Sequence, residues 1–262
     1  MAMSALARAT DHKASDGPLH MLAGLSPLSD RDREVIDSLD VKRIGRHQDI
    51  LVEGDRPNGI LFLKEGWAYR YRLLGDGRRH IINFLIPGDL IAPLFPTANH
   101  FVGALTDVVV CRASASEMDD LERRHEGLPA ALQGVVACEF EMLLERTVSL
   151  GRRNAKERMA NLLVELYNRM RRAGLAGDAT FDFPVTQEML ADSLGLSVVH
   201  VNRTLRSLRE DGMVTVWSGR VMISDLERLM ALAGIDDVPY LMNYRGNNGF
   251  SGRINGGNGK SR

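Results

Sequence analysis

The hydrophobic and polar positions change period along the chain, and each change predicts a different kind of element. Between Val41 and about Ala115 the pattern consists of short runs rich in β-branched and aromatic residues: ILVEG, GILFLKEG, WAYRYRLL, HIINFLI and DVVVCRAS. Turn signals separate them at Gly54-Asp55, Gly66, Gly75-Asp76-Gly77 and Pro87-Gly88-Asp89. In WAYRYRLL, Trp67, Tyr69 and Tyr71 alternate with Ala68, Arg70 and Arg72, the period of a strand with one covered face. LLGDGRRH reads as a tight hairpin, and the succession of short strands predicts an antiparallel β roll of the jelly-roll kind.

Helical periods flank the roll. Ser29-Asp30 forms a natural N-cap for a helix with Val35, Ile36 and Leu39 on one face, and SEMDDLERR starts another after the strands. From Leu128 to about Leu150, the residues Leu132, Val136, Phe140, Leu143, Thr147 and Leu150 make one apolar stripe of near-heptad period. Such a stripe needs a covering surface. It packs either on the chain's own β domain or on a second copy in a parallel, coiled-coil-like contact, and the second is preferred. Glu139, Glu141, Glu145 and Arg146 are assigned to its exposed side.

After Gly151-Arg152-Arg153-Asn154 comes an amphipathic helix ended by Gly174, and then the string PVTQEMLADSLGLSVVHVNRTLRSLREDGMV. Thr186 caps a helix beginning at Gln187, with Met189, Leu190 and Leu194 inward. Gly195 breaks it, and Ser197 caps a second helix whose Val201, Leu205 and Leu208 recur at buried-face spacing. The opposite face carries Val198, Val199, His200, Asn202, Arg203 and Arg206. In a helix-turn-helix the second helix enters the major groove. There Arg203 suits guanine O6 and N7, His200 and Asn202 offer hydrogen bonds, and the valines suit thymine methyls. GMVTVWSGRVMIS reads as strand, turn and strand, a wing with Arg220 near the phosphates. A Ser-capped amphipathic helix alone is an ordinary surface helix. Helix, Gly turn, capped helix and wing in succession point instead to double-stranded DNA.

Composition narrows the function classes. With 33 Lys and Arg against 34 Asp and Glu, the net charge is −1, so a DNA-binding face must be local. Two cysteines, Cys111 and Cys138, argue against a disulfide framework or a thiolate metal site. No uninterrupted apolar run reaches the ~20 residues of a membrane span, and the N-terminus lacks a signal-like h-region, so a cytoplasmic protein without membrane contact is expected. A cupin-type enzyme would need clustered His and Glu ligands, and no H-x-H pair occurs. Catalysis is therefore not expected, and neither is a metal or cofactor.

From Leu22 to about Asp225, the order of β roll, long helix and winged helix-turn-helix resembles the Crp/Fnr family of bacterial transcription regulators. The strings LGLSVVHVNRTLRSLREDGMV and GDLIAPLF carry the resemblance most strongly. It implies an α+β fold with an N-terminal antiparallel β roll, a long dimerisation helix and a C-terminal winged helix-turn-helix. It also implies a homodimer on an inverted-repeat site, with RNA polymerase as a candidate partner for which no residue string marks a contact. The corresponding domains are a flexible leader (1–20), a sensor-like roll (21–127), the dimerisation helix (128–152), the DNA-binding domain (153–236) and a flexible Gly/Asn-rich tail (237–262).

The chain departs from the family's ligand-binding patterns. Members that take a cyclic nucleotide carry a Gly-Glu pair after the GD-hydrophobic string and an Arg-Ser or Arg-Thr pair beyond it. Here Pro93 fills the Glu place and Ala98-Asn99 stand at the second pair. Iron–sulfur members carry several N-terminal cysteines, and none precedes Cys111. Control by cyclic nucleotide or cluster is not expected. Haem ligation by His80, His100 or Cys111 and redox sensing through a cysteine remain as alternatives, alongside a roll that holds another small molecule or nothing.

Overall fold

The computed structural model describes residues 17–91, 97–124, 127–177 and 179–235. Two short helices, α1 (Gly17–Leu25) and α2 (Asp30–Asp37), lead into seven strands: β1 (Asp40–Ile44), β2 (Asp49–Leu51), β3 (Ile60–Glu65), β4 (Ala68–Leu73), β5 (Arg79–Leu85), β6 (Phe101–Ala104) and β7 (Val108–Ala113). Helices α3 (Ala115–Arg124), α4 (Gly127–Arg152) and α5 (Ala155–Arg172) follow. The C-terminal part is β8 (Thr180–Asp182), α6 (Gln187–Leu194), α7 (Val198–Glu210), β9 (Val214–Trp217), β10 (Arg220–Ile223) and α8 (Leu226–Ala233).

The roll consists of two antiparallel sheets, ordered β1-β7-β3 and β2-β6-β4-β5. Ile44, Leu63, Val108 and Val110 of the first meet Leu51, Ala68, Leu85 and Val102 of the second in one apolar core. The outer face of the first sheet, through Phe62 and Cys111, is covered by Leu22 and Leu25 of α1, Ile36 of α2 and Leu128, Ala131 and Val135 of α4. Gly66 holds the turn between β3 and β4 at a φ of 84°, and a Cβ there would collide with the Asp107 carbonyl. Ser29 closes a full capping box with Asp32 at the start of α2.

The outer face of the second sheet carries the winged domain. Trp67, Ile81, Phe84, Ile86 and Leu105 share a core with Leu163 and Leu166 of α5, Phe181, Phe183, Leu190 of α6 and Leu208 of α7. The rings of Trp67 and Phe183 meet edge to face at 6.3 Å. Ionic contacts reinforce the seat. Arg79 of β5 pairs with Asp192 of α6 at 2.8 Å, and Arg169 of α5 pairs with Asp89 and, at 2.7 Å, with Glu165. Arg146 of α4 joins the same Glu165 at 3.2 Å.

These packings correct four expectations. Residues 17–20, assigned to a flexible leader, open α1, and Gly17 and Pro18 are buried. The polar face of β4 is open to water only at Arg72: Arg70 is buried, donating to the Leu90 carbonyl at 2.9 Å and pairing with Glu139 at 3.3 Å. Accordingly Glu139 and Arg146 lie on the side of α4 turned toward its own roll and α5, because buried partners wait there. Finally, α4 is long and apolar enough to cross a membrane by length and composition, although charged residues interrupt its apolar positions. The leader before residue 17, Pro93 and the tail lie outside the described residues.

Candidate nucleic-acid interface

The helix-turn-helix is built by caps at three points. Thr186 accepts a hydrogen bond from the Met189 amide at 3.2 Å to start α6, and Gly195 ends it in the left-handed region at φ 64°. Ser197 accepts from the His200 amide at 3.2 Å to start α7. With Met189, Leu190 and Leu194 buried under α6 and Val201, Thr204 and Leu208 under α7, rotation of the second helix is fixed. Leu205, expected inward, is half-buried, and Thr204 takes the deeper place by donating its hydroxyl to the His200 carbonyl at 2.8 Å.

That rotation leaves Ser197, Val198, Val199, His200, Asn202, Arg203 and Arg206 exposed, with Val199 61% accessible. Arg203 makes no ion pair among the described residues, whereas Arg206 is held by Glu210 one turn later at 2.8 Å. Arg203 thus keeps all its donors for an external partner. The wing turns through Ser218 (φ 44°) and Gly219 (φ 73°), the paired positive values of a tight primed hairpin turn. Arg220 faces Trp217 across that turn and pairs with Asp182 of β8 at 3.2 Å, on a half-exposed side chain. Thr186 and Gln187 are exposed at the mouth of a cleft between α6, α7 and the wing, which Asn202, Arg206, Arg209 and Trp217 also line. Arg209 and Trp217 are additions to the expected face. Arg209 follows Asn202 and Arg206 at steps of 4 and 3, a signal present in the sequence, and Trp217 precedes the Ser-Gly turn on the wing.

Along α4, the expected stripe is open in the single chain. Val136, Phe140, Leu143 and Thr147 are exposed, with Phe140 60% accessible, while Leu132 and Leu150 are half-buried. Leu144 and Val148 extend it on one flank at 46% and 51% exposure.

The roll offers a cyclic phosphate little. Ala98 is buried in the inter-sheet core, Asn99 Oδ1 lies 3.0 Å from His100 Nδ1, and Arg70 is engaged by Glu139 and a carbonyl. His100 is buried, and desolvation, helped by Arg70 and Arg72, pushes its imidazole down to about 4. Cys111 is buried too, its thiol pushed up to about 11 by desolvation, the opposite of an activated thiolate. His80 lies on β5 of one sheet, His100 directly precedes β6 of the same sheet, and Cys111 lies on β7 of the other. Among the described residues no group of three His, Cys, Asp or Glu is placed to hold a metal ion.

Two family models match the chain, together covering more than half of it: a Crp-like helix-turn-helix domain over residues 157–232 and a cyclic nucleotide-binding domain over residues 41–125. Among curated relatives, the transcriptional activator protein FnrL of Cereibacter sphaeroides is 27% identical over 231 residues, covering 86% of this chain and 93% of that protein. The nitrogen fixation regulation protein FixK of Bradyrhizobium diazoefficiens is 29% identical over 185 residues, covering 70% and 78%. The solved structure of FixK2 from Bradyrhizobium japonicum superposes with a TM-score of 0.66 at 25% identity, over 74% of this chain and 96% of that one. With the roll, the long helix and the capped helix-turn-helix in the same order, the chain belongs to the Crp/Fnr family of DNA-binding transcription regulators.

Proposed function

We propose that the protein acts as a homodimer that reads an inverted-repeat duplex, each copy placing α7 in a major groove. The observation that carries this reading is the orientation of α7: its apolar face is locked in the domain core while Arg203, uncommitted to any carboxylate, stands with Val199, Asn202 and Arg206 on the open face. Arg203 reads guanine, His200 and Asn202 supply further hydrogen bonds, and Val198 and Val199 meet thymine methyls. Thr186, Gln187, Ser197, Arg206 and Arg220 lie where phosphate contacts set the register.

The stripe of Leu132, Val136, Phe140, Leu143, Thr147 and Leu150 pairs with its copy around a two-fold axis. The opposite side of α4 is occupied by its own roll and α5, so the stripe and its flank at Leu144 and Val148 face outward for a partner. A second copy suits it better than lipid, because buried Arg146 and half-buried Glu139 and Glu145 on the same helix are engaged by this chain's own residues. A DNA reader of this kind works in the cytoplasm. Neither a cyclic nucleotide nor an iron–sulfur cluster is part of the reading, because Ala98 and Asn99 supply no cation for a phosphate and no cysteine precedes Cys111 to ligate a cluster. Sedimentation equilibrium tests it: two chains in the free protein, and two chains per duplex in the complex, support the dimer, while a free monomer that binds one half-site contradicts it.

A further inference from the structure

The DNA-reading account leaves unused a cavity of about 240 Å³ where α1, the turn after β5 and the end of α5 meet; His20, Gly24, Pro87, Asp89, Arg169 and Arg172 line it. Met21, Leu25, Ile86 and Ala173 make the rest of the lining apolar; its charged part sets two guanidiniums against one carboxylate, Asp89, which already accepts from Arg169, while the His20 imidazole is exposed and Arg172 also hydrogen-bonds Cys138. Arg169 is fixed further by Glu165 at 2.7 Å and by the Phe84 carbonyl at 3.0 Å, so it forms a rigid wall. Arg172, one turn further along α5, completes the cationic side of the cavity.

The opposite wall is equally settled. Helix α1 sits so close to the turn that a Cβ on Gly17 would lie 2.8 Å from Pro87 Cβ, and one on Gly88 would lie 2.8 Å from the Gly17 carbonyl oxygen. At Gly24, by contrast, a Cβ meets nothing within 4 Å, so that side of the helix borders open space. We propose that this cavity binds a small oxyanion, a carboxylate or a phosphate group, held by Arg172 and His20 beside Arg169. Guanidinium groups present planar, paired donors that match both oxyanions, and partial enclosure strengthens each charged hydrogen bond. The volume suits an inorganic ion or a short organic acid rather than a large ligand. Such a ligand touches the N-terminal helix, the roll and the first helix of the winged domain together, so its binding stabilises the seat of α7 on the roll.

Calorimetric titration of the full chain with inorganic phosphate, and separately with succinate, tests the site without DNA, so its outcome is independent of the reading of α7. Saturable binding of either probe is expected, phosphate alone or succinate alone identifying the anion type. Arg172→Gln weakens it at least tenfold, and Arg171→Gln, which removes the same charge from an exposed neighbour, changes it less than twofold. Gly24→Leu, at a lining position where a Cβ meets nothing within 4 Å, folds and narrows the cavity, weakening binding. Absence of saturable binding by both probes, or equal loss in the Arg171 and Arg172 variants, overturns the proposal.

Discussion

Arg203, proposed to read bases, makes no ion pair among the described residues and so has no carboxylate there to leave behind. Arg203→Ala is expected to cost on the order of 1–3 kcal/mol per half-site on the specific duplex and little on random DNA, measured by titrating both. Equal loss on the two would remove its base-reading role. Arg220 differs, since Asp182 holds it at 3.2 Å. With the contact to phosphate proposed for it, Arg220→Ala should lower affinity for every sequence and reduce the salt slope by about 1, whereas Asp182→Asn should raise affinity for every sequence. His100 supplies a pH dependence. Its folded-state value of about 4 lies below the 6.5 of the free side chain, so the unfolded chain binds the extra proton between them. Stability is therefore highest above about pH 6.5 and declines as pH falls toward 4. Denaturant midpoints followed across this window should show a shallower decline in His100→Gln, and an identical decline would contradict burial of a neutral imidazole.

Single elements were legible wherever a local chemical rule marks a boundary. Thr186, Gly195 and Ser197 stand at the ends of α6 and α7 as capping chemistry demands. Ser197→Ala should cost about 1 kcal/mol in unfolding experiments and weaken DNA binding by fraying the reading end of α7. The strand β8 left no sequence signal: three residues hold too little alternation, and pairing with β10 through Phe181 and Val221 creates the strand. Arg70 and Arg146 were unreadable for a related reason. Each is buried only because a carboxylate distant in sequence, Glu139 or Glu165, meets it. The stripe on α4 was readable by period, yet its flank at Leu144 and Val148 was missed because a strict heptad omits the neighbouring row. Phe140→Asp should convert the dimer to monomer in sedimentation runs, since it buries an unpaired charge at the centre of the stripe. A dimer that persists would place the interface elsewhere.

At the scale of the molecule, the order of roll, long helix and winged domain could be read from the change of period, but the seat of one on the other could not. That seat rests on Trp67, Ile81 and Phe84 meeting Phe183 and Leu190, contacts with no local pattern. A continuous core across the boundary predicts cooperative unfolding of both domains. Trp67 lies in the shared core and Trp217 on the wing. In Trp217→Phe, which leaves the seat unchanged, Trp67 emission and helical circular dichroism should give coincident denaturation midpoints, and separated midpoints would show that the domains melt independently. In the proposed dimer the seat would fix the reading helices, so that two half-sites are expected about one helical turn, ~34 Å, apart. The most direct measurement is selection from a pool of random duplexes by the purified protein with no ligand added, followed by sequencing of the retained DNA. Enrichment of a two-fold symmetric site, lost in Arg203→Ala, is the predicted result; enrichment of no site, or of one without two-fold symmetry, would contradict the account.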